Sequence, residues 1–350
     1  MTDPKPTFPG TPPRRRLALD AGRTLVAVGL LAAMALGVMG QVVRDRSAAW
    51  GVLMYLPLPL IGVAAFGFDL IHRGRALSRR RRGARFALAL VGLATLAGSS
   101  ARLIGRNGTG AGVVAADPSP GREPAVEILH WNVVWGGGRR RSPERWASIR
   151  RTMATQGADI LVLSEAPPDE WLDDLVADLG PAATSVRIEN EPGASYWYRL
   201  AVCSARPVRL VGRATLRGGV AMSVAVGDKP GALRLLVVDG QSHPLRWRTP
   251  FLLDVARLCA EATRAGRPFD LVVGDFNCLA RSIGFDALEA EGYALPSRLS
   301  FGWRGTFPSF LPVYDIDHVW VRRDRLAGSG ARLFTNLASD HRGQVVRVRD

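Results

Sequence analysis

The hydrophobic pattern divides the chain in two. Residues 24–43 run without a charge, long enough as a helix to cross a hydrocarbon core of roughly 30 Å. A second apolar run covers 50–70, where Pro57 and Pro59 predict a kink. A third and weaker run covers 86–104, with Arg102 near its end, where a long side chain can snorkel. From Val126 onward the period changes. Short β-branched runs at 126–131, 159–163, 200–203, 223–226, 233–238, 271–273, 318–321 and 345–346 predict strands. Amphipathic stretches at 144–156, 168–179 and 250–265 predict helices. Many strands with fewer helices predict two packed sheets covered by helices, an α/β domain. No internal repeat is apparent.

This gives four segments. Residues 1–23 form a Pro-rich, basic N-terminus expected to be disordered. Residues 24–104 form an all-α membrane region of three helices, at about 24–43, 50–70 and 86–104. Residues 105–125, rich in Gly, Ala, Pro and Asp, form a tether. Residues 126–350 form the C-terminal α/β domain.

Charge changes how the apolar runs are read. The chain carries +15 overall, and nearly all the base is arginine. Residues 1–125 hold 17 Lys+Arg against 6 Asp+Glu, while residues 126–350 hold 29 against 25. The excess therefore belongs to the N-terminal part and gives little support to a nucleic-acid face on the C-terminal part. Arg14–Arg16 and the acid-free run from His72 to Arg85 are expected in the cytoplasm. The first two spans then form a hairpin, the third carries the chain back out, and the C-terminal domain lies outside the cytoplasmic membrane. The three cysteines, Cys203, Cys259 and Cys278, lack CxxC spacing, which speaks against a disulfide framework or a zinc site.

The chemistry-bearing residues cluster at strand ends. Asn132 follows the first strand and Glu165 the second; His243 follows 233–238. Asp275 and Asn277 follow 271–273, Asp317 and His318 open the next strand, and Asp340 and His341 precede the last. Acids from several strand mouths are how a metal-phosphate site is assembled. A hard ion such as Mg²⁺ takes oxygen ligands, which Glu165 and Asp340 can supply. Asn132, Asn277 and His243 can donate or coordinate without adding negative charge near a phosphate. An attacking water needs a base, and an imidazole held by a carboxylate suits that role; His341 with Asp317 is the natural pair.

In order along the chain, Trp131-Asn132-Val133, Leu163-Ser164-Glu165, Leu200–Pro207, Ser242-His243-Pro244, Gly274–Asn277, Ile316-Asp317-His318 and Ser339-Asp340-His341 resemble the endonuclease/exonuclease/phosphatase superfamily. That group contains DNase I-like nucleases, neutral sphingomyelinases and inositol-polyphosphate phosphatases. The resemblance covers 126–350 and implies a four-layer α/β sandwich with its site at one rim. It implies Asn132, Glu165 and Asp340 as the metal residues, with Mg²⁺ or alternatively Mn²⁺ as the ion. It implies His243, Asp275, Asn277, Asp317 and His341 as the catalytic residues: His243 contacting the scissile phosphate, Asp275 and Asn277 positioning nucleophile and phosphate, and His341 the base oriented by Asp317. One departure is Ser164, where the family commonly has Gln.

The expected function is a membrane-anchored, divalent-metal-dependent hydrolase of phosphoric esters. Its substrate would be a phosphorylated small molecule, a phospholipid or a nucleic acid. Alternatives are a nuclease of the same fold and a non-catalytic membrane scaffold; no protein partner is inferred. Aromatics at 196–198 and at Phe301, Trp303, Phe307 and Phe310 are expected in the core and loops, or as a substrate-stacking lip.

Overall fold

The computed structural model describes residues 13–72, 79–103, 125–137, 142–189, 198–228, 231–243, 245–296, 303–327 and 329–349. The chain forms two compact units. One comprises residues 1–39 and 56–100, the other residues 40–55 and 101–350. Of the expected tether at 105–125, residues 105–124 lie outside the described residues and residue 125 opens the first strand.

The first unit is helical. Helix α1 (Pro13–Val43) begins at a proline, a residue suited to the first helical turn, so helix starts inside the stretch expected to be disordered. Its part Ala18–Val43 is, among the described residues, the one clear apolar helix of membrane-crossing length, with a mean hydropathy of 2.2. The three-span expectation is corrected here. The second run breaks next to Pro57 into α2 (Ala48–Met54) and α3 (Leu58–His72), and α2 belongs to the other compact unit. Within α4 (Arg79–Leu103) the apolar part is only Phe86–Ala101, short of a full span. Met34, Ala65 and Leu88, one from each of the three helices, are buried together. A Cβ on Gly62 would lie 2.7 Å from the Gly92 carbonyl oxygen, so two glycines set the close approach of α3 and α4.

The second unit holds the α/β fold. In chain order it contains β1 (Ala125–Asn132), the turn α5 (Val134–Gly137), α6 (Pro143–Gln156), β2 (Ile160–Ser164), α7 (Asp169–Asp178), β3 (Thr184–Glu189) and β4 (Arg199–Ser204). It continues with β5 (Val208–Leu216), β6 (Gly219–Val226), β7 (Leu233–Gly240), α8 (Thr249–Arg264), β8 (Leu271–Asp275), α9 (Phe285–Ala290), β9 (Tyr293–Ala294), β10 (Asp317–Arg322), β11 (Gly330–Phe334) and β12 (Gly343–Arg349).

Two mixed sheets result, in the orders β11-β12-β1-β2-β4-β3 and β9-β10-β8-β7-β6-β5. Each has one parallel pair at its centre, β1 with β2 and β7 with β8. All other strand pairs are antiparallel. The two sheets thus repeat one topology, with β1 matching β7, β2 matching β8 and β12 matching β6.

Alternation along each strand sorts the core into layers. Ile128, Val162, Val202, Val237, Val273 and Val319 meet between the sheets. The opposite faces of β1, β2 and β4 pack on Trp146, Ile149 and Met153 of α6 and Leu172 and Leu175 of α7. The opposite faces of β7, β8 and β10 pack on Phe251, Leu252 and Val255 of α8 and on Phe285 and Leu288 of α9. The layers are therefore helix, sheet, sheet, helix. Local signals agree with the helix ends: Ser142 caps α6, Pro143 opens it, and Gly157 ends it in the left-handed region.

Candidate active site

The period of two decides which residues reach the site. In β1 the side chains of Val126 and Ile128 point between the sheets, and so do those of His130 and Asn132. In β8 the inner positions are Leu271, Val273 and then Asp275; in β10 they are Val321, Val319 and then Asp317. The inter-sheet layer thus turns from apolar to polar at one end of the sandwich. Asp275 and Asp317 are direct register partners there.

A polar step separates the apolar core from the acids. His130 and Ser164 are fully buried and lie within 3.2 Å, Nε2 to Oγ. Gln344 of β12 approaches His130 Nδ1 at 3.5 Å. Burial drives the His130 pKa down to about 4, so the ring is neutral at pH 7. Ser164, the departure from the family pattern, is spent on this pairing rather than on Glu165.

At the rim the Asn132 amide donates to Glu165 Oε1 at 3.1 Å and to Asp275 Oδ2 at 3.0 Å. The Asn132 carbonyl oxygen of the side chain accepts from the Val134 amide at 3.0 Å. His341 Nδ1 is bonded to Asp317 Oδ2 at 2.8 Å. Its Nε2 faces Asp275 and Asp340, each at 3.9 Å. Asp340 is more than half exposed, whereas Asp275 and Asp317 are buried. Phe307 lies against the His341 ring, with centroids 4.9 Å apart.

Several backbone groups fix these side chains. Ser339 Oγ donates to the Asn132 carbonyl at 2.7 Å and accepts from the His341 amide at 3.0 Å. Trp131 Nε1 donates to the His341 carbonyl at 2.9 Å. Thr306 Oγ1 accepts from the amides of Ile316 and Asp317, at 3.1 and 3.2 Å. Glu165 and Asn277 hold left-handed backbones, with φ of 46° and 49°. Such conformations cost about 1 kcal/mol or more in non-glycine residues and gather where surrounding bonds over-determine them. At Gly274 a Cβ would lie 1.9 Å from the Val238 carbonyl oxygen, so only glycine lets β8 press against β7 just before Asp275.

The electrostatics follow from burial and crowding. Burial and then the Asp317 charge push the Asp275 carboxyl well above the ordinary carboxylate range. Burial also raises Glu165, against the bond from Asn132. Burial would raise Asp317 as well, but the charge and hydrogen bond of His341 outweigh it and hold that carboxyl low. Burial would lower His341, but Asp317 chiefly, then Asp275 and Asp340, hold it well above the ordinary imidazole range. Against these acids alone His341 is therefore an imidazolium at neutral pH.

The site residues expected from sequence fall into two groups. Asn132, Glu165, Asp275, Asp317, Asp340 and His341 are joined by the contacts above. Asn277 is linked to them through its amide, which donates to Asp275 Oδ1 at 2.8 Å, while its side-chain amide donates to the Gly240 carbonyl at 2.8 Å. His243 stands apart: its ring is exposed, and Nδ1 accepts from the Leu245 amide at 3.3 Å. Among the described residues its ring makes no hydrogen bond or ion pair with the acids. His318 points to the outer face of its sheet, where Nε2 lies 2.7 Å from the Cys278 carbonyl oxygen and the ring packs on Phe276 and Phe285. Of the aromatics, residues 196, 197 and 301 lie outside the described residues, and Phe310 is exposed. Two residues of the site are not among those expected from sequence. Thr306 sits in an unremarkable loop, while the inward position of His130 on β1 could have been counted from the alternation.

Ligand atoms of Asp275, Asp317 and His341 all lie within 4.8 Å of one another. This buried Asp–Asp–His group could bind a metal ion. The group fits a hard divalent cation: its oxygen donors are the carboxylates of Asp275 and Asp317, and among the described residues Asp317 Oδ1 is buried without a hydrogen-bond partner. The residues 129–341 match the endonuclease/exonuclease/phosphatase family. The chain belongs to that family. Three solved structures illustrate the similarity. The human Nocturnin catalytic domain with bound sulfate is 17% identical, covering 64% of this chain and 93% of that one, with a TM-score of 0.48. A mannosyl-6-phosphatase from Bacteroides thetaiotaomicron is 14% identical, covering 64% and 99%, with a TM-score of 0.49. The endonuclease domain of TRAS1, a telomere-specific non-LTR retrotransposon, is 16% identical, covering 65% and 99%, with a TM-score of 0.46. No curated protein matches the chain. The α/β unit of this family member thus carries a phosphoester-hydrolase fold with a buried Asp–Asp–His cluster.

Proposed function

We propose that the protein is a divalent-metal-dependent hydrolase of phosphoric esters, anchored to a membrane, with its catalytic unit outside the cytoplasm. The observation that carries the chemistry is the Asp317–His341 bond, with Nε2 of that imidazole turned toward Asp275 and Asp340 beside the Asn132–Glu165 pair. Asp317 fixes the ring's orientation and leaves Nε2 to exchange a proton with a water attacking phosphorus. Asn132, Glu165, Asp275 and Asp340 are the residues that would hold Mg²⁺ or Mn²⁺. When bound, such an ion supplies positive charge that polarises the phosphoryl oxygens and offsets the acids that keep His341 protonated. Asn277 orients Asp275 through its amide, and an exposed His243 is free to meet the phosphate of an incoming substrate.

The anchor rests on α1. Its apolar window is only 17% buried, and Leu25 and Val28 are exposed. Exposed apolar side chains continue on α3, with Ile71, and on α4, with Phe86. A helical unit with this surface is at home in lipid rather than in water. The orientation rests on Arg44, one residue past α1, which binds both carboxylate oxygens of Asp286 in the catalytic unit, at 2.8 and 2.7 Å. Residues 40–55, which take up the chain at the end of α1, belong to that same unit. Arg14–Arg16 at the other end favour the cytoplasm, which leaves the catalytic unit outside.

The test uses the full chain in detergent micelles with Mg²⁺ or Mn²⁺, screened against phosphodiesters, phospholipids, phosphosugars and plasmid DNA. Hydrolysis abolished by chelation and by Asp275→Ala is expected. No turnover of any phosphoester would end this reading, and DNA as the sole substrate would turn it into a nuclease. Retention in the membrane fraction after an alkaline wash is expected of the anchor; a soluble product shortened at its N-terminus would identify α1 as a signal sequence.

A further inference from the structure

The catalytic unit includes a piece of chain from far outside the family match. Residues 40–55 belong to it, although the family match begins at residue 129. Their hold on it is specific. Arg44 donates to the carbonyls of Arg281 and Ser282, at 2.6 and 2.9 Å, besides its paired bonds to Asp286. Asp45 is only 5% exposed. Its Oδ1 accepts from the Ile283 amide at 2.7 Å, and its Oδ2 accepts from Thr249 Oγ1 at 3.1 Å and from Ser282 Oγ. Its carbonyl accepts from Trp247 Nε1 at 2.7 Å. Met54 is buried with Leu279 and Ile316. A buried carboxylate with this many donors marks a built interface rather than a chance contact.

Tyr55 reaches furthest into the site. Its hydroxyl donates to the Asn277 carbonyl at 2.7 Å, and its own carbonyl accepts from Tyr314 at 2.9 Å. Arg248 lies over its ring, 4.9 Å from the centroid, and also donates to the His243 carbonyl at 3.1 Å. The segment thus grips the three loops that carry His243, Asn277 and Asp317. Asn277 holds a left-handed backbone at φ 49°. Three bonds keep it there: its amide to Asp275, its side chain to Gly240 and its carbonyl from Tyr55.

We propose that residues 44–55 are a working part of the active-site rim, and that Tyr55 is a positioning residue acting through Asn277 on Asp275. The kinetic half of this rests on the phosphoester-hydrolase reading; the structural half does not. Removing the phenol lets the strained Asn277 relax, which shifts the amide that orients Asp275 without touching substrate. It also follows that residues 126–350 alone lack part of their catalytic rim.

The experiment compares the full chain with Tyr55→Phe in detergent micelles. The expected result, at a temperature well below both thermal midpoints, is a kcat about fivefold lower, the loss of one neutral hydrogen bond, with KM unchanged. Hydrogen exchange at the amides of 277–283 should quicken in the variant while β1 stays as protected as before. A kcat equal to wild type, or one that falls only in step with the thermal midpoint, would overturn the proposal. If the wild type hydrolyses no phosphoester, the functional reading fails separately and exchange decides: quickened exchange at 277–283 upholds the positioning role, and unchanged exchange overturns it.

Discussion

Replacing Asp317 with Asn tests the centre of the chemistry, because it removes a charge while keeping the shape. Asp317 is buried 2.8 Å from His341 Nδ1, and an asparagine oxygen can still accept that bond. What is lost is the carboxylate that stabilises the imidazolium. A pair of unit charges about 4 Å apart at an effective dielectric of about 20 is worth about 4 kcal/mol. If that stabilisation is realised when the ring takes a proton in the transition state, kcat/KM falls about a thousandfold. Stability should change little. The variant loses an ion pair with His341 but also loses the repulsion between Asp317 and Asp275, whose carboxyl that charge helps to raise.

Two assays check this. Turnover of a chromogenic phosphodiester by the full chain with Mg²⁺ gives the rate. A histidine NMR titration in chelator gives the ring. In wild type the His341 pKa lies above the ordinary imidazole range, against burial, because Asp317 holds the proton. In Asp317→Asn burial is opposed chiefly by Asp275 and Asp340 at 3.9 Å, so the pKa moves down. A variant keeping more than about a tenth of wild-type kcat/KM, with the titration unmoved, would refute the assigned partnership.

Two further outcomes follow from the same geometry. Mg²⁺ or Mn²⁺ binding should release protons and tighten as pH rises, since Asp275 and His341 both have raised pKa values and hold protons in the cation-free site; calorimetry in buffers of different ionisation enthalpy reads the proton count, and a count of zero would contradict the raised values. Gly274→Ala should destabilise the catalytic unit by about 3 kcal/mol or more, because the new methyl meets the Val238 carbonyl at 1.9 Å; a thermal midpoint within a degree or so of wild type would show that β7 and β8 can part there.

The buried strands were legible and the edges were not. Runs such as Leu271–Val273 and Ile160–Leu163 are apolar on both faces because each is covered by a sheet on one side and a helix on the other. β3 and β5 end their sheets, carry Arg187, Arg209 and Arg213, and alternate toward solvent, so their sequences lack that signature. The apolar run at 50–70 misled for a related reason: Met54 is apolar because it meets Leu279 and Ile316, not because it meets lipid. Composition cannot distinguish those two surroundings, and the break next to Pro57 marks where the chain passes from one compact unit to the other.

The repeated topology explains why site residues scattered over two hundred positions converge. Asn132 ends β1, and the loop of His243 follows its counterpart β7. Glu165 follows β2, and Asp275 ends the matching β8. Asp317 opens β10, and His341 stands just before β12, each strand antiparallel to a member of its sheet's central pair. Each sheet delivers its three strand ends to the same end of the sandwich, and the repeat relates four of the six positions, Asn132 to the His243 loop and Glu165 to Asp275. Across the seam the partners are chemically unlike. Asn132 faces Asp275 as donor to acceptor, and Asp317 faces His341 as acid to base. Two like residues at either pair would leave unpaired charge or unpaired donors in a buried rim, so a site at the seam of two similar sheets requires unlike partners across it.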